Sequence, residues 1–235
     1  MHMPARAPVF ENRYGAGRQL AEKLTDYKGQ SAIVLAIPNG GAPIALGVAL
    51  ALDAELDIVV SRKIPLPLSP EGGFGAVTDD GTIILNDEIV AKAGLSPQQI
   101  NYQVSQVRVD IRHRSLLYRG ERRPAVLTDK KVIIVDDGLA SGYTMRAAVE
   151  SVRQRHPGEI TVAIPVAPVK AFQDLEKVAD RVIACVVNST PEFYVSDFYR
   201  YWNEPDDEEV IQCFKEWRLR HSARPDLELP EKKGT

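Results

Sequence analysis

The segment Val132-Ile133-Ile134-Val135-Asp136-Asp137-Gly138-Leu139-Ala140-Ser141-Gly142-Tyr143-Thr144 decides how the rest of the chain is read. Its four leading β-branched residues have the pattern of a strand buried on both faces of a parallel sheet. The strand runs straight into two adjacent carboxyls and then into a small-residue turn that opens a helix. Met145, Ala148, Val149 and Val152 mark the apolar face of that helix. Backbone N–H groups of a small-residue loop at a helix N-terminus form a cradle for an anion, and the helix dipole adds to it. Ser141 and Thr144 can supply hydroxyl donors to the same anion. Asp136 and Asp137 would repel a phosphate they faced, so they suit hydrogen bonds from sugar hydroxyls about one ribose away. Amides for phosphate beside carboxylates for ribose describe a site for a ribose 5-phosphate group. A helix merely capped by Ser or Thr does not call for paired acids at a strand end.

Working outward, residues 32–37 form another continuous apolar run, and it ends in Pro38-Asn39-Gly40-Gly41. This reads as a buried parallel strand entering a tight loop. Pro43 suits a first helical turn, and residues 44–52 are apolar all round, so a helix between layers follows, then a strand over 56–61. The unit is βαβ. Strands over 160–166 and 182–187 flank a helix over 169–177, which gives five strand candidates in a mainly parallel sheet. The fold class predicted is α/β, in three layers, α/β/α. An opening helix over 14–27, carrying Leu20 and Leu24, covers a sheet edge.

Residues 62–124 break this rhythm. A loop rich in Pro and Gly (Pro65, Pro67, Pro70, Gly72, Gly73) precedes a small hairpin, in which Ala76-Val77 pairs with residues 82–85 across Thr78-Asp79-Asp80-Gly81. This insertion is expected to be mobile. After Pro97, the spacing of Ile100, Val104, Val107 and Ile111 gives one helical face. Arg108, Arg112, Arg114, Arg119, Arg122 and Arg123 crowd its far end, where an anion contact is expected. Residues 188–202 are unusually aromatic. Val210, Phe214 and Trp217 fit a closing helix, and residues 218–235 read as a polar, poorly ordered tail. A single domain over 10–217 accounts for the rest.

The chain has 235 residues, 44% of them hydrophobic, which suffices for one substantial core. A net charge of −3 supplies no field that would draw it onto nucleic acid or an anionic membrane, so any phosphate must be held locally. The longest apolar stretch, 42–52, is far too short to span a bilayer, and no charged-then-apolar leader opens the chain. The expectation is a cytoplasmic protein with no nucleic-acid or membrane partner. Cys185 and Cys213 lack a CxxC spacing, and His2, His113, His156 and His221 lack metal-ligand spacing.

The segment 135–144 resembles the signature by which type I phosphoribosyltransferases bind 5-phosphoribosyl-1-pyrophosphate (PRPP): two acids with apolar flanks, a small-residue loop, then Thr. The resemblance implies that Ala140, Ser141, Gly142, Tyr143 and Thr144 hold the 5-phosphate, and Asp136 and Asp137 the ribose hydroxyls. Tyr143 departs from the small residue expected there, so its side chain should point away from the phosphate. Pro38-Asn39-Gly40-Gly41 is similar to the family's pyrophosphate loop, where glycine lets amides approach closely. Asn39, Gly40, Gly41 and Arg62 are its implied contacts. Asn39 stands where relatives commonly carry a basic side chain, which passes charge neutralisation to Lys63, Arg62 and Mg²⁺. Lys63, with Asp136 and Asp137, makes up the implied catalytic set. Mg²⁺ would be held through PRPP and by Asp136 and Asp137.

Pro70-Glu71, Gly75-Ala76-Val77, Leu117-Tyr118-Arg119-Gly120, Tyr199 and Asp207-Glu208-Glu209-Val210 look like a less characterised branch of predicted phosphoribosyltransferases, spanning most of 10–217. In that family the insertion closes over PRPP, for which Glu71, Arg112, Arg114 and Tyr118 are candidates. Residues 188–202 would form the hood for the acceptor, with Phe193 and Tyr194 to stack on a base and Asp197 to read a ring nitrogen. Phe198 and Trp202 read as hood core. The implied reaction displaces pyrophosphate from C1 of PRPP by a nitrogen acceptor, a nucleobase, in a homodimeric enzyme. A PRPP or nucleotide sensor without turnover is the alternative. A dehydrogenase is excluded by the missing Gly-x-Gly-x-x-Gly fingerprint.

Overall fold

In a computed structural model, which describes residues 8–67, 69–120 and 122–222, the apolar runs form one five-stranded parallel sheet. Its strands are β1 (Ile33–Ala36), β2 (Glu55–Ile58), β6 (Lys131–Val135), β7 (Glu159–Pro168) and β8 (Arg181–Asn188). The spatial order is β2-β1-β6-β7-β8. Side-chain alternation along β1 and β6 explains why both needed unbroken apolar sequence. Val34, Ala36, Ile133 and Val135 face a core shared with α1 (Arg13–Glu22), α2 (Gly41–Leu52) and α7 (Asp207–Ser222). Ile33, Leu35, Val132 and Ile134 face the opposite core, built with α5 (Tyr143–Arg153) and α6 (Val169–Leu175). The three-layer α/β/α expectation holds.

From β1 the chain crosses to β2 on one side, and from β6 it crosses to β7 and β8 on the other. The seam between β1 and β6 is therefore a topological switch point, where two loops diverge and leave a crevice at the strands' C-terminal ends. Register fixes the depth of that crevice: Ala36 lies level with Val135, so residues 38–41 and 136–144 leave the sheet side by side.

Several elements differ from the sequence expectation. The Pro/Gly-rich loop is instead a hairpin, β3 (Ser61–Leu66) with β4 (Ser69–Thr78), which joins β5 (Ile83–Leu85) in a separate antiparallel sheet. The glycines that suggested a loop serve close pairing. A Cβ on Gly73 would lie 2.4 Å from Lys63 Cγ, and one on Gly75 2.3 Å from the Ile84 carbonyl oxygen. The Asp-Gly hairpin between β4 and β5 is where it was expected. A short helix, α3 (Asp87–Lys92), capped by Asn86, had not been anticipated. The helix after Ser96 is long, α4 (Pro97–Arg119), and opens on a capping box between Ser96 and Gln99. The opening helix is shorter than expected, ending at Glu22 before a single 3₁₀ turn at Thr25–Tyr27. The closing helix runs past residue 217 to Ser222, so the first residues of the expected tail are helical, and residues 223–235 lie outside the described residues.

Candidate active site

β6 ends at Val135, and the next two residues place their carboxyls at the floor of the crevice. The Asp137 amide donates to Asp136 Oδ1 at 2.8 Å. The chain then turns through Gly142, whose φ of 79° belongs to the left-handed region that glycine tolerates, and enters α5. The first-turn amides of α5 have no intrahelical acceptor and point back at the crevice. Asp136 through Met145 thus line one wall of a cleft of about 500 Å³. Lys63, Glu71, Gly73 and Gly75 of the β3–β4 hairpin, with Val195, Trp202 and Glu204, line the rest. The structure brings Asp136, Asp137, Lys63, Glu71 and all of residues 140–144 into one cavity, of a size suited to a small ligand.

An adjoining cleft of about 620 Å³ shares Asp136, Asp137, Lys63, Thr144 and Glu204 and adds Asn39, Gly40 and Arg62. Both glycines of the first loop are required by proximity. A Cβ on Gly40 would lie 2.0 Å from Asp137 Oδ2, and one on Gly41 2.6 Å from the Val135 carbonyl oxygen. The Asn39 side chain turns away from the acids. Its amide donates to the Pro205 carbonyl at 2.9 Å and to Asp207 Oδ1 at 3.1 Å, and its Oδ1 accepts from Arg114 at 3.0 Å and Tyr118 at 2.9 Å. Arg114 and Tyr118 also donate to Asp207 Oδ1, at 2.7 and 2.5 Å. Two of the four closure candidates therefore clasp the first loop to the start of α7. Arg112 is exposed on α4 and lines neither cleft. The expected anion contact at the helix's basic end is not what Arg119 provides, because it bonds the Ile58 carbonyl at 2.9 Å and pairs with Asp57 and Asp79.

Lys63 Nζ donates to the Glu71 carbonyl at 2.7 Å, and Arg62 pairs with Asp110 at 3.4 Å. Tyr143 borders both the acid cleft and another of about 490 Å³ on the far side of the loop. Phe193 lines that second cleft, not the acid one, and packs on Phe198 with ring centroids 5.4 Å apart. Tyr194 is exposed, and Asp197 borders none of these clefts.

The residue that sequence reasoning missed is Arg13. It is 5% exposed, and its Nε and Nη2 donate to Asp137 Oδ2 at 2.9 and 2.7 Å. Its guanidinium lies 3.8 Å from the Trp202 ring centre. A signal existed, since a cation in a helix's first turn opposes the dipole and calls for a compensating partner. Trp202, read as core, borders the cleft, and Tyr199 donates its hydroxyl to the Asp137 carbonyl at 2.6 Å. Burial pushes the Asp136 carboxyl well above the ordinary range, with the charge of Asp137 adding to it. Burial raises Asp137 as well, and there Arg13 opposes it. Burial and the bond to Asp207 push Tyr118 up to about 12.

The profile of the phosphoribosyl transferase domain matches residues 10–197. The chain belongs to this family. Two curated phosphoribosyl transferases, provisionally so named, from two strains of Mycobacterium tuberculosis are each 34% identical over 203 residues, which is 86% of this chain and 46% of theirs. The chain thus spans about half the length of the curated relatives it matches. The crystal structure of TT1426 from Thermus thermophilus is 34% identical, covers 88% of this chain and 98% of its own, and superimposes with a TM-score of 0.73. The phosphoribosyl transferase domain therefore takes in both crevice loops and the aromatic segment up to residue 197. Arg13 falls within it, and Trp202 and the Asp207 clasp lie beyond its matched range.

Proposed function

We propose that this phosphoribosyl transferase domain takes its 5-phosphoribosyl group from PRPP and passes it to a nitrogen acceptor, a nucleobase, with release of pyrophosphate. One observation carries the reading: paired carboxyls and a helix-opening loop of small residues line the same wall of one cleft. The amides of residues 140–144 would bind the 5-phosphate. The carboxyls of Asp136 and Asp137 would accept from the ribose hydroxyls, and Lys63 with the Gly40–Gly41 amides would meet the departing pyrophosphate. The chain's contribution is then positioning and electrostatic stabilisation, with no protein nucleophile.

Among the described residues no group of three or more His, Cys, Asp or Glu is placed to hold a metal on its own. Two carboxylates beside a phosphate site suit a hydrated Mg²⁺ shared with substrate phosphates, and Asp136 and Asp137 are the residues that would hold it. When bound, that ion would offset charge on the leaving pyrophosphate. Among the described residues no helix is long and apolar enough to cross a membrane. The reading keeps the expectation of a cytoplasmic homodimer, and sedimentation of the purified chain checks the dimer.

Calorimetric titration of PRPP with Mg²⁺ tests the donor site, expecting binding by the natural chain and none by Asp136→Ala/Asp137→Ala. Absence of binding by the natural chain would sink the proposal. A nucleobase panel scored by pyrophosphate release then identifies the acceptor. Asp137 already paired with Arg13 favours a second reading, a regulatory protein that binds PRPP without turnover, and binding with no release across the panel would select it.

A further inference from the structure

Asp137 is a junction. Its carboxylate meets α1 through Arg13, its Oδ2 sits where a Cβ on Gly40 would fall, and its carbonyl receives the Tyr199 hydroxyl. The charged and titratable groups around it are Asp136, Arg13, Glu204 and Tyr199. Arg13 is the cation that opposes burial at Asp137, and each of its donor nitrogens is used. Two bond the carboxylate, and Nη1 donates to the Asn203 carbonyl. The planar face of the same guanidinium covers Trp202. One side chain, 5% exposed, thus grips an acid of the cleft floor with its fork and the segment 202–203 with its face and remaining edge. A lysine could not do both, having a point charge in place of a planar fork.

We propose that Arg13 is a positioning residue that fixes the Asp137 carboxylate for the donor sugar and fastens that acid to the aromatic segment 193–203, so that donor binding and the order of that segment are linked. The first half rests on the PRPP reading above. The second half does not, because it rests on contacts between parts of the protein alone. Arg13 lines neither the acid cleft nor the one adjoining it. It acts through Asp137, holding the same carboxylate oxygen that lies against Gly40.

Two measurements test this in the full chain. The first needs no ligand: hydrogen exchange is followed in the natural chain, Arg13→Met, Arg13→Lys and Trp202→Leu. Arg13→Met should lose protection in residues 193–203 while β1, β6 and β7 keep theirs, and Arg13→Lys should fail to restore it. Unchanged protection in 193–203 would overturn the link. Loss spread evenly over the sheet would reduce Arg13 to a general stabiliser and overturn it too. Trp202→Leu keeps the ion pair intact and guards against Arg13→Met failing to fold, and it should loosen the same segment.

The second measurement titrates PRPP with Mg²⁺ into the natural chain, Arg13→Met, Asp137→Asn and the double variant. Arg13→Met should weaken binding roughly tenfold to a hundredfold, as loss of a residue that orients a ligating group does. The double variant should bind no worse than Asp137→Asn alone, because Arg13 has nothing left to position. Additive losses, or full affinity in Arg13→Met, would overturn the positioning role while leaving the PRPP reading standing. If the natural chain itself fails to bind, the PRPP reading and the positioning half fall together, and the exchange data alone decide the link.

Discussion

Asp136 and Asp137 are adjacent in sequence and both raised by burial, but only Asp137 has a buried cation beside it. Burial pushes the Asp136 carboxyl up, so the folded chain holds a proton there more tightly than the unfolded chain does. Its ionised form therefore costs stability, and the cost grows as pH rises above about 4, the ordinary carboxyl value, towards the raised one. Asp136→Asn should stabilise the fold at pH 7 by about 1 kcal/mol, with the gain gone below about pH 4, as urea unfolding at the two pH values would read. Asp137→Asn should not share that gain, because it leaves the buried Arg13 guanidinium without its anion. Equal effects of the two substitutions would contradict the asymmetry. Gly40→Ala belongs to the same scale. The added methyl must displace Asp137 Oδ2, and PRPP affinity should fall about a hundredfold, by calorimetry, in a chain that still folds.

At the scale of elements, the clasp between the first crevice loop, α4 and α7 carries its own prediction. Hydrogen bonds from Tyr118 and Asn39 and the charge of Arg114 hold the Asp207 carboxyl below its ordinary range. A lowered carboxyl stabilises the fold above about pH 4 and loses that effect as pH falls through its folded value. Asp207→Asn should therefore lower the melting temperature at neutral pH and have a progressively smaller effect as pH falls into the acid range, which a series of thermal melts would show. A constant effect across pH would rule out the ionic contribution. Elements were also where sequence reading was uneven. Val132 to Val135 and the run before Pro38 were legible because both strands are covered on both faces and are apolar throughout that stretch. The β3–β4 hairpin was not, because Gly73 and Gly75 answer to the neighbouring strand, a contact invisible along the chain. Arg119 and Arg114 looked alike as part of a basic stretch, and only folding sends one to Asp57 and the other to Asp207.

The whole molecule shows why the site's centre was readable and its edges were not. The acids and the helix-opening loop are contiguous, so one segment announced them. Lys63 and Glu71 come from a hairpin, Arg13 from the first helix and Trp202 from beyond β8, and nothing in the local sequence says that these meet. If the cleft is occupied as proposed, the ligand bridges those of them that line it, and Arg13 acts on it through Asp137. PRPP with Mg²⁺ at a hundred times its dissociation constant should add about 2.7 kcal/mol of stability, seen as a rise in melting temperature that Asp136→Ala/Asp137→Ala abolishes. A stabilisation that survives the double variant would mean that the ligand sits elsewhere.

The divergence of the chain at the seam between β1 and β6 also bears on how the protein reaches its native state. The two loops that meet there are separated in sequence by the β3–β4–β5 sheet and by α4, so their meeting is a long-range closure of the kind that slows folding. Helices can form early, but the crevice exists only once β6 has docked beside β1. In a refolding time course, the ability to capture a ligand should lag behind the recovery of helical signal, which makes competence to bind a clock for the last long-range step.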